Sequence, residues 1–498
     1  MVGLDGAAWP TLADEVTAGR LPTLGGLLDR GRYGPVTTEA GFSDATAWSS
    51  FATGLRVSRH GWANVQMLRP GSYELEEVRN DRVKAPPFWQ HVSDQGATVT
   101  VLDVPKSPSG RALRGVELAD WLTHGTTGPP RSDPPEFGDE VVRRHGPGHG
   151  PGCEAFGLPV DGYRSFLEFQ ADTTRRKGDL AVEQLRARPA DLALVVFNAA
   201  HCVGHQCWHL HDPTHAERDD DLIAQLGDPV VPQYQLLDEQ LNRLLAEVDD
   251  DTTVIVFGGL GMGANYYDQP FIDEILHRLD SGRRAGPTTQ YRLTTLWRQA
   301  IPHRLRTAMP DSWHRAARAS SERARAGRSF FGLDAGSTSG AVRVNLAGRE
   351  PSGMVPHHDF DDTLDRLEHS FRQLRDADTG EPIVREVERV AEHHSGPAAE
   401  PFPDLFVHWH DRPVRAARSD EVGIVPRPQP NRSGHHTRVG FWVVAGPSIE
   451  PGDDQPPIAI TDLGIAVAAH LGVHIDGTDA TPVAALSDAT RSPGHGSH

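Results

Sequence analysis

Apolar residues fall into short continuous runs separated by longer amphipathic stretches. This alternation predicts strands buried on both faces with helices packed between them. Leu192-Ala-Leu-Val-Val-Phe197 and Thr252-Thr-Val-Ile-Val-Phe257 are the clearest runs. Residues 98–103, 342–346, 404–409 and 440–445 read as further strands, and residues 1–5 as a first strand cut unusually short. Helical spacing marks 9–15, 21–30, 43–53, 166–187, 231–248, 361–375 and 458–471, with Ser43 or Asp44 as the cap of the third. Residues 54–61 and the Pro- and Gly-rich stretch 127–159 read as loops. The order of elements predicts an α/β chain: a doubly wound, mostly parallel central sheet flanked by helices, with helical insertions. Residues 1–263 and 331–485 form the expected core. Residues 264–330, rich in arginine, read as a mostly helical insertion or cap rather than a phosphate-reading patch, and 486–498 as a disordered tail.

Folds of this kind bind ligands beyond the carboxyl ends of their strands. The segment after the 192–197 run, Asn198-Ala-Ala-His-Cys-Val-Gly-His205, therefore carries the candidate chemistry. His201 and His205 are four apart, so on a helix they share one face and can meet a single metal ion. Asp5, at the end of the first strand, has a bland alternative as a turn residue before Gly6. His435 and His436 precede the last strand. Gly259-Leu-Gly-Met-Gly-Ala264 follows a strand and fits a dinucleotide-loop pattern, a weak signal on its own.

Composition narrows the field. A formal charge of -19 over 498 residues argues against a general nucleic-acid or anionic-membrane binder but says little about substrate, and the expected partner is a small molecule. Three cysteines, Cys153, Cys202 and Cys207, do not make a disulfide framework, and the latter two read as small buried filler. Without a membrane-length apolar run or a signal-like N-terminus, the expected compartment is the cytoplasm.

Several motifs, in order, resemble the alkaline phosphatase superfamily, and within it the type I phosphodiesterase / nucleotide pyrophosphatase group. They are Gly3-Leu-Asp-Gly-Ala7, Arg20-Leu-Pro-Thr-Leu24, Ala47-Trp-Ser-Ser-Phe-Ala-Thr-Gly54, His60-Gly61, Val104-Pro105, the histidine segment to Asp212, Asn345-Leu-Ala-Gly-Arg-Glu-Pro351, Asp404-Leu405, Gly434-His-His-Thr-Arg-Val-Gly440 and Asp462. The resemblance implies a hydrolase with two metals, usually zinc, and a Ser or Thr nucleophile at a helix start. It aligns Asp5, His205 and His436 with metal ligands, His435 being able to exchange with His436. This chain departs from it at three places. His201 stands where the family has an aspartate. Gly259 and Leu260 stand where it has an aspartate–histidine pair, leaving room for substrate in place of a metal. Asp44 occupies the nucleophile position, as ligand, base or helix cap, with Thr46 and Ser43 as substitute hydroxyls.

The expectation is one divalent metal, zinc before iron or copper, on His201, His205 and His436, with Asp5 as ligand or orienting partner and the second site lost. Three functions are open: hydrolysis of a phosphate ester or diester; a repurposed mononuclear three-histidine enzyme, a lyase or O2-dependent oxidase; and a catalytically silent ligand-binding relative.

Overall fold

The computed structural model describes residues 1–78, 82–108, 110–123, 129–148, 156–267, 269–284, 311–336, 338–428, 430–452 and 455–487. Its centre is a nine-stranded sheet. The order across it is Ile458–Ala459, Arg32–Thr37, Val439–Ala445, Val254–Gly258, Val2–Leu4, Leu192–Phe197, Val99–Leu102, Gly115–Ala119 and Arg131–Asp133. Val2–Leu4 runs parallel to both of its neighbours, Leu192–Phe197 and Val254–Gly258. Val439–Ala445 enters antiparallel between Val254–Gly258 and Arg32–Thr37. The three-residue strand lies at the centre because every residue in it is buried, so nothing polar has to be accommodated on either face.

Two apolar layers cover the sheet. One contains Leu12, Phe166, Val203, Trp208, Leu237 and Leu241 from the helices Trp9–Thr17, Val160–Ala187, Ala199–His211 and Val230–Leu245. The other contains Phe51, Phe88 and Leu463 from Thr46–Thr53, Phe88–Asp94 and Ile460–His470. A second, antiparallel sheet of Phe330–Leu333, Ser339–Val344, Leu405–Trp409 and Val384–Arg389 packs with the helices Gln269–Ser281 and Phe360–Arg372 around its own core. Together these make the doubly wound, mostly parallel architecture the sequence predicts.

Local expectations fail in several places. The third helix begins at Thr46 with Ala45 in the cap position, so neither Ser43 nor Asp44 is the N-cap. The stretch 54–61 contains a short helix, Val57–His60. Within 127–159, Arg131–Asp133 forms the edge strand and Pro135–His145 a helix, started by the proline that suggested a loop. The helix expected at 166 starts at Val160. Cys202 is disulfide-bonded and Cys207 is free and buried, so the two are not equivalent filler. Of the residues expected in an insertion, 285–310 lie outside the described residues, as do 488–498 of the expected tail, while Leu486 packs in the core. Among the described residues no helix is long and apolar enough to cross a membrane.

Candidate metal centre

Three strand ends and one two-stranded antiparallel sheet build the site. The Asp5 amide donates to the Phe197 carbonyl at 2.9 Å, fixing the first strand end against the second. Gly6 then turns with φ +67°, a conformation side chains disfavour, and a Cβ there would lie 3.0 Å from His201 Cα and 3.1 Å from the His436 ring. After Phe197 the chain enters the helix Ala199–His211, which carries His201 and His205 on one face. The Gly-rich run after Val254–Gly258 is a strand, Gly261–Ala264, paired antiparallel with Gly434–Thr437 so that Met262 opposes His436. Gly434 passes so close to the helix that a Cβ would meet the Gly204 carbonyl oxygen at 2.1 Å. Backbone-to-backbone contact at these glycines is what lets His436 reach His205.

The donor atoms of His201, His205 and His436 all lie within 4.8 Å of one another, the single such group of three among the described residues. His205 Nδ1 donates to the Gly434 carbonyl at 2.8 Å and His436 Nδ1 to the Gly261 carbonyl at 3.1 Å. A carbonyl only accepts, so each neutral ring carries its proton on Nδ1 and a lone pair on Nε2, with Arg432 Nη1 3.5 Å from that of His205. These two Nε2 atoms face each other at 3.2 Å. Two lone pairs at that distance repel unless a cation lies between them. A proton is a poor candidate. Burial, then Arg432 and the two neighbouring histidines, push His205 well below its ordinary value. Burial and His201 push His436 down to about 4, against the opposing pull of Asp44 and Asp5. The donor set therefore fits a divalent metal of the zinc type.

Asp5 is buried and does not belong to the three-donor group. Its Oδ2 lies 3.2 Å from His201 Nδ1 and accepts from Asn198 Nδ2 at 3.1 Å, while Oδ1 accepts from the Trp48 indole N–H at 3.3 Å. Burial would raise this carboxyl, but His201, His436 and the Asn198 hydrogen bond outweigh it and hold it at about 2. A permanent carboxylate on one imidazole nitrogen is the arrangement that orients a ligating histidine. His435 alternates with His436 along the strand and stays outside the group, its ring centroid 6.4 Å from that of His205.

A cavity of about 380 Å³ opens over the three histidines. Asp44, Ser43, Leu260 and His435 line it. Thr46 does not: it is buried, and its hydroxyl donates to the Ser43 carbonyl at 2.7 Å. Gly259 does not either, its open side facing Ile460 and Ala47. Neither Gly259 nor Leu260 offers a side-chain ligand. The sequence reading missed Asn64, Lys106, Arg432 and Tyr267, which line the same cavity from loops and carry no local pattern that would have marked them. Trp48 is both part of the core and the donor to Asp5.

A nine-stranded, mostly parallel sheet with a polar site at its strand ends is an alkaline phosphatase-like fold. A model of the type I phosphodiesterase / nucleotide pyrophosphatase family matches residues 1–436, and the chain belongs to that family. Its fold is also similar to that of phosphonoacetate hydrolase from Sinorhizobium meliloti 1021, solved with phosphonoacetate, at 12% identity and a TM-score of 0.51, covering 91% of this chain and 89% of that one. Human ectonucleotide pyrophosphatase / phosphodiesterase 5 matches at 11% identity and a TM-score of 0.51, covering 99% and 100%. No curated protein matches the sequence significantly. Family membership supports phosphoester hydrolysis as the type of reaction.

Proposed function

We propose that this protein hydrolyses a phosphate ester or diester of a small molecule at a single divalent metal held by His201, His205 and His436. The observation that carries this reading is the pair of Nε2 lone pairs facing each other at 3.2 Å, with both Nδ1 protons committed to backbone carbonyls. When bound, the metal supplies Lewis-acid polarisation of a phosphoryl oxygen. Asp5 holds the His201 ring through Nδ1. Asp44 lines the cavity where the family places its hydroxyl nucleophile, and a carboxylate there serves as a base that takes a proton from an attacking water. Thr46 has no part in the reaction, because it does not line the cavity and its hydroxyl is committed to the Ser43 carbonyl. Leu260 closes the place of the second metal with an apolar wall, so that site is lost.

The test is metal analysis of the purified protein with turnover of bis-p-nitrophenyl phosphate, after chelation and after zinc or manganese is restored. One equivalent of metal, with turnover that returns on reloading and is absent in Asp44→Asn, is expected. Two equivalents of zinc would overturn the loss of the second site. One observation favours a second reading, a mononuclear lyase or oxidase: an imidazole at His201 in place of a carboxylate softens the ligand set. One equivalent of iron or copper without phosphodiester turnover would establish it, and no metal at all would favour a silent ligand-binding relative. The cytoplasmic placement is opposed by the disulfide at Cys202, since disulfides are rare in reduced compartments.

A further inference from the structure

A second chemical unit reaches the same cavity from the antiparallel sheet. Ser339 begins the strand Ser339–Val344, and its partner across the strand Leu405–Trp409 is His408. The Trp409 amide donates to the Thr338 carbonyl at 3.1 Å. That makes Thr338 and Trp409 a hydrogen-bonded pair, and Ser339 and His408 the adjacent pair without backbone bonds, where side chains approach more closely. Ser339 Oγ lies 2.8 Å from His408 Nδ1, and His408 Nε2 lies 2.9 Å from Glu388 Oε2 on the next strand, Val384–Arg389. A carboxylate only accepts, so Nε2 carries the ring proton and Nδ1 accepts from the hydroxyl. Burial would raise the Glu388 carboxyl, but the hydrogen bond and charge of His408, then the His393 and His394 rings, outweigh it and hold it below its ordinary value. His408 is buried, while Ser339 is half-buried and lines the cavity of about 380 Å³. Nucleophile, base and orienting carboxylate in that order are the parts of a serine hydrolase, here with the two ring nitrogens exchanged. Thr11, His211 and Asp228 make a similar chain at 3.2 and 2.7 Å, but Thr11 is buried on a helix and does not line the cavity.

The surroundings of Ser339 choose the substrate. The turn leading to it packs on the segment that carries Asp44: the Gly336 amide donates to the Gly41 carbonyl at 2.9 Å, and a Cβ on Gly336 would lie 3.6 Å from Asp44 Oδ1. Asp334 lines the same cavity. With no metal to offset them, these carboxylates repel a phosphoryl anion and leave a neutral ester carbonyl unaffected. Tyr267 and Trp409 stack at 4.9 Å and 11° on the cavity wall. Gly340, next to Ser339, admits Ile272 to that wall, since a Cβ there would meet Ile272 at 2.2 Å. This apolar side suits an acyl chain. We propose that Ser339, His408 and Glu388 form a second catalytic unit, one that hydrolyses neutral carboxylic esters with an apolar acyl group and needs no metal. Ser339 Oγ bonds to the carbonyl carbon as its proton passes to His408 Nδ1. The bond from that carbon to the alcohol oxygen breaks, and the alcohol leaves with the proton from Nδ1. Water then bonds to the acyl carbon and gives a proton to Nδ1, the carbon–Oγ bond breaks, and Oγ takes that proton back as the carboxylic acid departs. Glu388 is a positioning residue that holds the Nε2–H and favours the transient imidazolium. The activity is separate from the proposed phosphoester hydrolysis and does not rest on it.

The test is hydrolysis of p-nitrophenyl butyrate by the full chain, before and after chelation, with mass spectrometry of the chain treated with an alkyl fluorophosphonate. That reagent leaves its phosphonyl group on an activated serine as fluoride departs. Ester turnover should survive chelation, and the wild-type adduct should sit on Ser339. Ser339→Ala should lose the adduct and at least about 100-fold in turnover. Glu388→Gln keeps the shape and an acceptor but removes the charge. It should lower kcat and the labelling rate together by about tenfold or more, with KM within about twofold, a split that a merely structural contact would not produce. Should Ser339→Ala fail to fold, the wild-type adduct decides, because the modified residue is read directly. An adduct absent from Ser339, or ester turnover in Ser339→Ala within about twofold of wild type, would overturn the proposal. Turnover abolished by chelation and restored by zinc would also overturn it, by moving ester hydrolysis to the histidine centre. None of these results bears on phosphodiester turnover after metal is restored, which tests the metal centre separately.

Discussion

Two buried polar clusters meet at Asn198, and they are finished to different degrees. On one side, Lys177 donates to the Val196 carbonyl at 2.7 Å, Asn198 Oδ1 at 2.8 Å and Asp103 Oδ2 at 2.8 Å, using all three of its protons. Asp103 accepts in addition from the Trp121 and Leu122 amides and the Thr123 hydroxyl. Every donor and acceptor in that cluster has its complement within the chain. On the other side, Asn198 Nδ2 holds Asp5, Asp5 holds His201, and the cluster ends on the facing Nε2 atoms of His205 and His436, with Arg432 Nη1 3.5 Å from the first. Buried polar groups are almost always satisfied. A cluster closed by the chain itself is structural, and one that ends on two facing lone pairs is suited to a metal ion.

The closed cluster should be the more costly to damage. Lys177→Met leaves the Asp103 carboxylate buried without its counter-ion, and breaking a buried pair in this way costs about 3–5 kcal/mol. Thermal or urea unfolding should show a loss of that size with metal absent, and a loss under about 1 kcal/mol would refute the structural role. The same variant frees Asn198 from one of its two anchors, so metal affinity should fall as well.

The open cluster should gain where the closed one cannot. Wild-type protein at a hundredfold excess of metal over its dissociation constant should gain about 2.7 kcal/mol of stability. His205→Ala should abolish the gain, while its metal-free form still unfolds cooperatively. A variant that retained the full increment would place the metal elsewhere.

The closed and open clusters were unequally legible in the sequence. Leu192–Phe197 is buried almost throughout, so its run of apolar residues announces a strand, and the spacing of His201 and His205 announces a shared face once the helix is assumed. Edge strands and long-range strand pairs gave weaker signals. Arg131–Asp133 is polar and pairs on one side only. Arg32–Thr37 contains Pro35, which breaks the usual pattern but is tolerated because its edge neighbour pairs only with Val36 and Thr37. Gly261–Ala264 resembles a nucleotide loop because its glycines were selected by the close passage of Gly434–Thr437, a contact 170 or so residues away in sequence that no local pattern encodes. Asp103, Lys177, Lys106 and Arg432 are chemically ordinary residues made important by tertiary contact, and only the fold identifies them.

Between the two clusters, Asp5 offers a pH test. Its folded value of about 2 lies below its ordinary 3.8. A depressed carboxyl stabilises the fold above its unfolded value, and that contribution disappears as pH falls through the folded one. The expected amount is roughly 2 kcal/mol in metal-free protein, lost progressively below about pH 4. Unfolding free energies of wild type and Asp5→Asn between about pH 2 and pH 6 should therefore converge at the acid end, and parallel curves would show that Asp5 carries no such charge. Asp5→Asn should also weaken metal binding by about 10–100-fold, as loss of an orienting carboxylate does.

The smallest effect should come from Thr46, one residue beyond Ala45 and two beyond Asp44. Both Thr46 and Asp44 sit at the start of a helix where the family places its nucleophile, but the chain uses them differently. Asp44 lines the cavity and acts on His436. Thr46 donates its hydroxyl to the Ser43 carbonyl inside the turn. Removing that one hydrogen bond in Thr46→Ala should cost about 1 kcal/mol and leave phosphodiester turnover within about twofold, a change worth less than about 0.5 kcal/mol in the barrier. Asp44→Asn, which keeps the shape and removes the base, should instead lower turnover by about 100-fold or more with little change in stability. If Thr46→Ala abolished turnover and Asp44→Asn did not, the hydroxyl would be the nucleophile after all, and the helix start would have to rearrange by a turn when substrate binds.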